Sequence, residues 1–140
     1  MTKTTRPSEQ RVRFLKFSFE RLPDARCRAN VVLERPEGGT CEGVANGMAT
    51  QTGELRCAAE ATARALQEVA GDRLRFQLLG VKAVKAFDSS VVIVSLSSRE
   101  DGPATRLVGS CLVDEDLPKG AARAVLSATN RLLGNTIFMR

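Results

Sequence analysis

The stretch RVRFLKFSF (11–19) is similar to a later stretch, RLRFQLLGV (73–81), at an offset of 73 − 11 = 62 positions. Two glycines, Gly71 and Gly134, follow segments of helical periodicity and are 134 − 71 = 63 positions apart. Self-similarity at one fixed spacing is the sequence signature of a duplicated structural unit. The predicted repeats cover residues 11–71 and 73–134.

Each repeat begins with three segments that have the periodicity of β-strands. In the first repeat, RVRFLKFSFE (11–20) and CRANVVLER (27–35) have apolar residues at alternate positions, and TCEGVANG (40–47) follows a turn. Such alternation is typical of half-buried strands. The apolar positions are Leu15, Phe17 and Phe19 in the first segment and Cys27, Ala29, Val31 and Leu33 in the second.

In the second repeat, SSVVIVSLSS (89–98) and TRLVGSCLV (105–113) are the predicted central and third strands. Val91 and Ile93 alternate with Val92, Val94 and Leu96, so this strand is apolar on both faces, and a helix on one face of the sheet leaves the other face in need of a second layer. The second layer is either the helices or the sheet of another subunit, and we expect a homodimer. A monomer with a closed sheet is the alternative.

Each repeat ends with helical periodicity, from Glu54 to Val69 and again from about Pro118. Asp116 suits an N-cap, and a glycine suits the end of each helix. The positions predicted to be buried are Leu55, Ala58, Ala59, Thr62, Ala65, Leu66 and Val69 in the first helix, and Ala122, Val125, Leu126, Thr129, Leu132 and Leu133 in the second. The predicted fold class is α+β, a tandem β-β-β-α repeat with antiparallel sheets and two helices packed on them.

The other face of the first helix carries charges of alternating sign four residues apart. They are Arg56, Glu60, Arg64 and Glu68. Pairs at this spacing stabilise a solvated helix by a few tenths of a kcal/mol, roughly. The face is therefore either ordinary solvated surface, which we favour, or a surface for a partner.

Composition restricts the function. The chain has 140 residues, of which 43% are hydrophobic and 26% charged. This length and composition predict one globular domain over 11–140, after a flexible N-terminal arm, 1–10. There is no histidine, and the four cysteines form no C-x-x-C pair, so we expect no catalytic residues, no metal and no cofactor. The apolar runs are too short to span a membrane and the N-terminus lacks a secretory core, so a cytoplasmic location is expected.

Two stretches resemble a known family. CEGVANG (41–47) is similar to the glycine-rich segment ahead of the first helix in the C-terminal regulatory domain of isopropylmalate and citramalate synthases, and AARAVLSATNRLL (121–133) is similar to its last helix. That domain also has a doubled β-β-β-α architecture. The resemblance implies a stand-alone regulatory domain without the catalytic barrel. Unlike the family, this chain has MATQTG (48–53) before the helix and lacks the Pro-Val-Asp that follows the glycines.

The resemblance implies that an amino-acid-like effector binds at the glycine loop. The candidate ligand-binding residues are Gly43, Ala45, Asn46 and Gly47. A loop that leads into a helix N-terminus presents unpaired N–H groups and a partial positive charge, which favour a carboxylate. The alternative is that the glycines only serve a strand bulge and a turn.

Nucleic acid is the other candidate ligand, because the net charge is +5 and residues 54–133 have the α-β-β-β-α order of a double-stranded-RNA-binding domain. The candidate contacts are Lys82, Lys85, Lys119 and Arg123. Three acids, 114–116, lie directly before the second helix and oppose this hypothesis. The sequence therefore favours a regulatory or ligand-binding domain that acts on a partner protein.

Overall fold

The structure is a computed structural model that describes residues 12–133, apart from the side chains of Arg131 and Leu133. The predicted N-terminal arm 1–10, the first repeat residue Arg11 and the helix-ending Gly134 lie outside the described residues. Neither helix in this part of the chain is both long enough and apolar enough to cross a membrane.

Within residues 12–133, six strands and two helices follow one another in the predicted order, so the tandem β-β-β-α fold is confirmed. The strands form two three-stranded antiparallel sheets with neighbours in chain order, sheet A from β1 to β3 and sheet B from β4 to β6. The elements are β1 (Arg13–Leu22), β2 (Arg26–Glu34), β3 (Thr40–Met48), α1 (Gln51–Ala70), β4 (Arg75–Ala86), β5 (Ser89–Arg99), β6 (Thr105–Val113) and α2 (Leu117–Leu133).

The central strands carry the core. The four alternating residues predicted on β2 are all completely buried, and so are Val92, Val94 and Leu96 on β5. On β1 the prediction is partly wrong, because Leu15 sits at a shift in the β1–β2 register and is 48% exposed. The shift leaves Phe14 on the inner side with Phe17 and Phe19, where they pack at the edge of the core.

The first helix begins three residues before the predicted start, at Gln51 rather than Glu54. Thr50 is its N-cap, because the Gly53 amide donates to Thr50 Oγ1 at 3.0 Å. At the other end the amide of Gly71 donates to the Gln67 carbonyl at 3.0 Å, with Gly71 at a φ of 63°. A positive φ at this position favours glycine, and the predicted helix end is confirmed.

The second helix has its predicted cap, since the Lys119 amide donates to Asp116 Oδ1 at 3.1 Å. Its predicted buried positions Ala122, Val125, Leu126 and Thr129 are buried. Leu132 is 42% exposed, so its predicted burial is wrong. The side chain of Leu133, which was also predicted to be buried, lies outside the described part of the chain.

The two helices pack on the inner faces of the sheets and against each other. The helix α1 contacts β2 and β3 of sheet A and β4 of sheet B, whereas α2 contacts β5 and β6. Helices thus supply the second layer for the inner face of β5. The outer face of sheet B holds Val91 and Ile93 half-buried and is covered by no element among the described residues.

Candidate functional site

The predicted glycine loop is the third strand of sheet A. Gly43, Ala45, Asn46 and Gly47 all lie in β3 and pair in regular register with β2. The loop interpretation of these residues is therefore wrong, although the strand was predicted over 40–47. Gly47 is also not among the residues with positive φ, so no left-handed conformation requires a glycine there.

Two of these four residues serve packing. Gly43 is buried beneath α1, where a Cβ atom would overlap the carbonyl oxygen of Ala61 and lie 2.5 Å from the Ala65 amide nitrogen. Ala45 is 2% exposed, and its carbonyl accepts the Cys57 thiol at 3.1 Å. A ligand therefore cannot reach either side-chain position without separating the helix from the strand.

The other two predicted residues, Asn46 and Gly47, line a cavity of about 570 Å³ where the end of β3 meets the first turns of α1. Its size is within the range typical of small-molecule sites. The lining residues are Asn46, Gly47, Met48, Thr50, Thr52, Gly53, Arg56, Cys57, Glu60 and Arg64.

The N-terminus of α1 opens into this cavity. Thr50 accepts hydrogen bonds from two of the first amides of α1. Its Oγ1 accepts from the Gly53 amide, and its carbonyl accepts from the Glu54 amide at 2.7 Å. The amides of Gln51 and Thr52 have no hydrogen-bond partner within residues 12–133. Unpaired amides and the helix dipole give this end a partial positive charge.

An ion pair links the hairpin of β1 and β2 to this end of α1. The guanidinium of Arg21 donates to both carboxylate oxygens of Glu54, at 2.8 and 3.1 Å. The bond to Glu54 raises the pKa of Arg21 above its ordinary value. Because Arg21 neutralises Glu54, the acid in the first turn does not repel an anion from the neighbouring cavity.

Two arginines and a glutamate lie along the helix side of the cavity. Arg64 donates to the Val44 carbonyl at 2.7 Å, and its Nε lies 3.8 Å from Glu60 Oε2. Arg56 is exposed and has no ion pair or hydrogen bond with another described residue. The cavity thus offers one uncommitted cation, with a carboxylate one helical turn away.

Two thiols lie beneath the cavity. Cys27 and Cys57 are 0% and 3% exposed, and the Cys27 thiol donates to the Met48 carbonyl at 3.4 Å. Burial, with Cys27 as a neighbour, raises the pKa of Cys57 to about 12. A thiol with so high a pKa is protonated at neutral pH and is a poor nucleophile or metal ligand.

The sequence predicted only the β3 side of this site, formed by Asn46 and Gly47. Thr50, Arg56 and Glu60 were not predicted as ligand contacts, because the helix was expected to start later and its charged face was interpreted as solvated surface. The spacing of Arg56, Glu60 and Arg64 did place them on one face. The missing information was that this face borders the end of β3.

A second hollow, of about 400 Å³, lies on the outer face of sheet A. Several of its polar groups are already paired: Arg28 donates to Asn46 at 3.1 Å and to Glu20 at 3.4 Å, and the Asn30 amide donates to Glu42. Lys16 and Ser18 also line it and have no such partner among the described residues. The cavity at α1 is the stronger candidate for an anionic ligand, because it also adjoins the N-terminus of a helix.

The four residues of the nucleic-acid hypothesis do not form one surface. Lys82 pairs with Ile93 on the outer side of sheet B, while Lys119 and Arg123 belong to α2, which packs on the inner side. Lys85 is three residues from Lys82 and so faces the opposite side of the strand. The sheet separates Lys82 from the other three cations.

No protein-family model matches the chain, and the search of curated proteins finds no match either. Within residues 12–133, no group of three or more Cys, Asp or Glu residues is arranged to hold a metal ion.

Proposed function

We propose that the protein is a regulatory domain that binds an amino-acid-like effector at the N-terminus of α1 and acts on a partner protein. The observation that carries the proposal is the cavity of about 570 Å³, which is lined both by uncommitted Arg56 and by Thr52, whose amide is unpaired at the start of α1. A carboxylate is the group that both features favour. The resemblance to the synthase regulatory domain supports the same class of ligand.

The rest of the cavity suits the remainder of an amino acid. Glu60 lies four residues after Arg56, about 6 Å along the helix, and provides an anion for an ammonium group. Met48 is 54% exposed at the rim and provides apolar surface for a side chain. The proposed effector is therefore a zwitterion with an apolar side chain.

Homodimerisation belongs to the same proposal. The outer face of sheet B exposes Val84 at 40%, Val108 at 63% and Leu112 at 65%, next to half-buried Val91 and Ile93. Contiguous apolar surface of this kind is typical of a protein interface. A second copy of the chain that meets the edge strand β6 would cover Val108 and Leu112, the most exposed of these side chains.

A thermal-shift screen tests ligand binding. We expect an α-amino acid with an apolar side chain to raise the melting temperature, and the matching amine without a carboxylate to have no effect. Arg56→Glu should abolish the shift. Lys119→Glu is the matched control, because it makes the same kind of charge reversal near the start of the second helix, away from this cavity.

Other results would contradict the proposal. A shift that persists in Arg56→Glu would place the ligand elsewhere, and no shift with any amino acid would remove the proposed effector class. Stabilisation by duplex RNA that falls steeply with salt, and is lost in Lys119→Glu combined with Arg123→Glu, would favour the nucleic-acid function instead.

A further inference from the structure

The four sheet edges differ in how they are protected from pairing with another chain. The edge strands β1 and β4 each carry a register shift, near Leu15 and Leu79. The edge of β3 is partly covered, because Arg64 reaches from α1 to the Val44 carbonyl. Bulges and cationic side chains are common ways to block an open edge.

Within residues 12–133, the fourth edge, β6, has neither a register shift nor a hydrogen bond from its helix. It pairs with β5 without a register shift. The residue of α2 equivalent to Arg64 is Ser127, 127 − 64 = 63 positions later, and it makes no hydrogen bond to β6 in the described part of the chain. A regular strand with one free edge is a template for another strand.

The outward-facing residues of β6 and the position after it have a self-complementary order. They are Arg106, Val108, Ser110, Leu112 and Asp114. A cation begins the series, an anion ends it, and the two most exposed valine and leucine side chains of sheet B flank a central serine. When this series is aligned with its own reverse, Arg106 therefore lies opposite Asp114, and Val108 lies opposite Leu112.

We propose that β6 pairs antiparallel with β6 of a second copy, with Ser110 opposite Ser110, to form a continuous six-stranded sheet. Each Arg106 then lies opposite Asp114 of the other copy, and each Val108 lies opposite Leu112. On the inner side, Leu107 meets Val113 of the other copy. Cross-strand pairs of opposite charge and of apolar residues are the combinations that stabilise a sheet.

The charges of this interface are available in the single chain. Arg106 is exposed and has no ion pair with another described residue. Asp114 accepts the Ser89 hydroxyl at 3.1 Å through Oδ1, which leaves Oδ2 for a guanidinium. The inference rests on the homodimer of the proposed function and is independent of ligand binding, since the α1 cavity belongs to the other sheet.

Sedimentation equilibrium of the full chain tests the interface. We expect wild type to be a dimer at micromolar concentration. Arg106→Asp and Asp114→Arg should each weaken the dimer at least roughly tenfold, because each turns two attractive contacts per dimer into two repulsive ones. An equimolar mixture of the two variants should form a heterodimer of near wild-type affinity, because both contacts then pair opposite charges.

Val84→Lys is the control, since Val84 lies on the outer face of the same sheet but on the opposite edge strand. It should leave the dimer intact. Circular dichroism checks that each variant remains folded. A monomeric wild type, a dimer unaffected by either charge reversal, or a dimer broken by Val84→Lys would each overturn the proposal, the last in favour of face-to-face packing. Unchanged amino-acid binding in a monomeric variant would show that the proposed ligand function survives this failure.

Discussion

Gly43 and Gly109 occupy equivalent places in the two repeats, each at the point where a strand touches the backbone of its helix. A Cβ at Gly43 would overlap the Ala61 carbonyl, and a Cβ at Gly109 would overlap the Ala124 carbonyl, 124 − 61 = 63 positions later. The helix and the third strand of each repeat therefore approach closely at a site that excludes even a methyl group.

Replacing either glycine by alanine should destabilise the protein. Because both obstacles are helix backbone, the helix must move away from the sheet, and we expect a loss of about 1–3 kcal/mol or more in the free energy of unfolding. Denaturant melts followed by circular dichroism measure it. Gly80→Ala is the control, since a Cβ there meets nothing within 4 Å. Equal stabilities for Gly43→Ala and Gly80→Ala would contradict the close approach.

Leu66 and Leu126 anchor the two helices in the core, with exposures of 0% and 1%. Leu66→Ala or Leu126→Ala should lower the free energy of unfolding by about 2–5 kcal/mol, because each leaves a cavity in a packed interior. The matched control is Leu79→Ala, at a position that is 42% exposed. Losses below about 1 kcal/mol at both buried leucines would mean that the helices do not bury these faces.

Gly47→Val should impair effector binding while the protein still folds. A Cβ at Gly47 would lie 3.3 Å from the Gly53 carbonyl oxygen and 3.4 Å from Cys57 Cβ, so a valine crowds the wall of the cavity without a severe clash. We expect a stability cost of about 1–2 kcal/mol. Titration calorimetry with the amino acid identified by thermal shift measures the affinity. A folded variant with wild-type affinity would show that the ligand does not approach β3.

Stability should fall at alkaline pH. Burial raises the pKa of Cys57 to about 12 from its ordinary value of 9.0, so the unfolded thiol loses its proton first as the pH rises. Its contribution is fully present below pH 9.0 and declines towards about pH 12, by at most about 1.4 kcal/mol per pH unit. Melts of wild type and Cys57→Ala from pH 8 to 10.5 compare the slopes. If the free energy of unfolding depends on pH equally in both proteins, the fold does not raise the pKa of Cys57.

The fold could be predicted from the sequence because its signals are local and occur twice. Alternation identified the buried face of β2, and helical spacing identified Leu66 and Leu126. The failures were also local. A register shift moved Leu15 out of the apolar face, and Leu132 of α2 is exposed although its spacing predicted burial.

The site was less predictable because it depends on which surfaces meet. Asn46 and Gly47 were identified by resemblance, but Gly43 and Ala45 face the helix and serve packing. Arg56 was assigned to a solvated face because helical spacing does not say what borders that face. Only the path of β3 past the start of α1 brings these residues together.

The most direct test of the central claim is the two-dimensional nitrogen–proton NMR spectrum of the labelled chain, titrated with the amino acid found by thermal shift. We expect the amide signals of Gln51, Thr52 and Gly53 to move, Arg56→Glu to remove these changes, and the equivalent amides at the start of α2, including Lys119, to stay in place. Shifts confined to sheet B or to the outer face of sheet A, or the same shifts in Arg56→Glu, would contradict a carboxylate site at the N-terminus of α1.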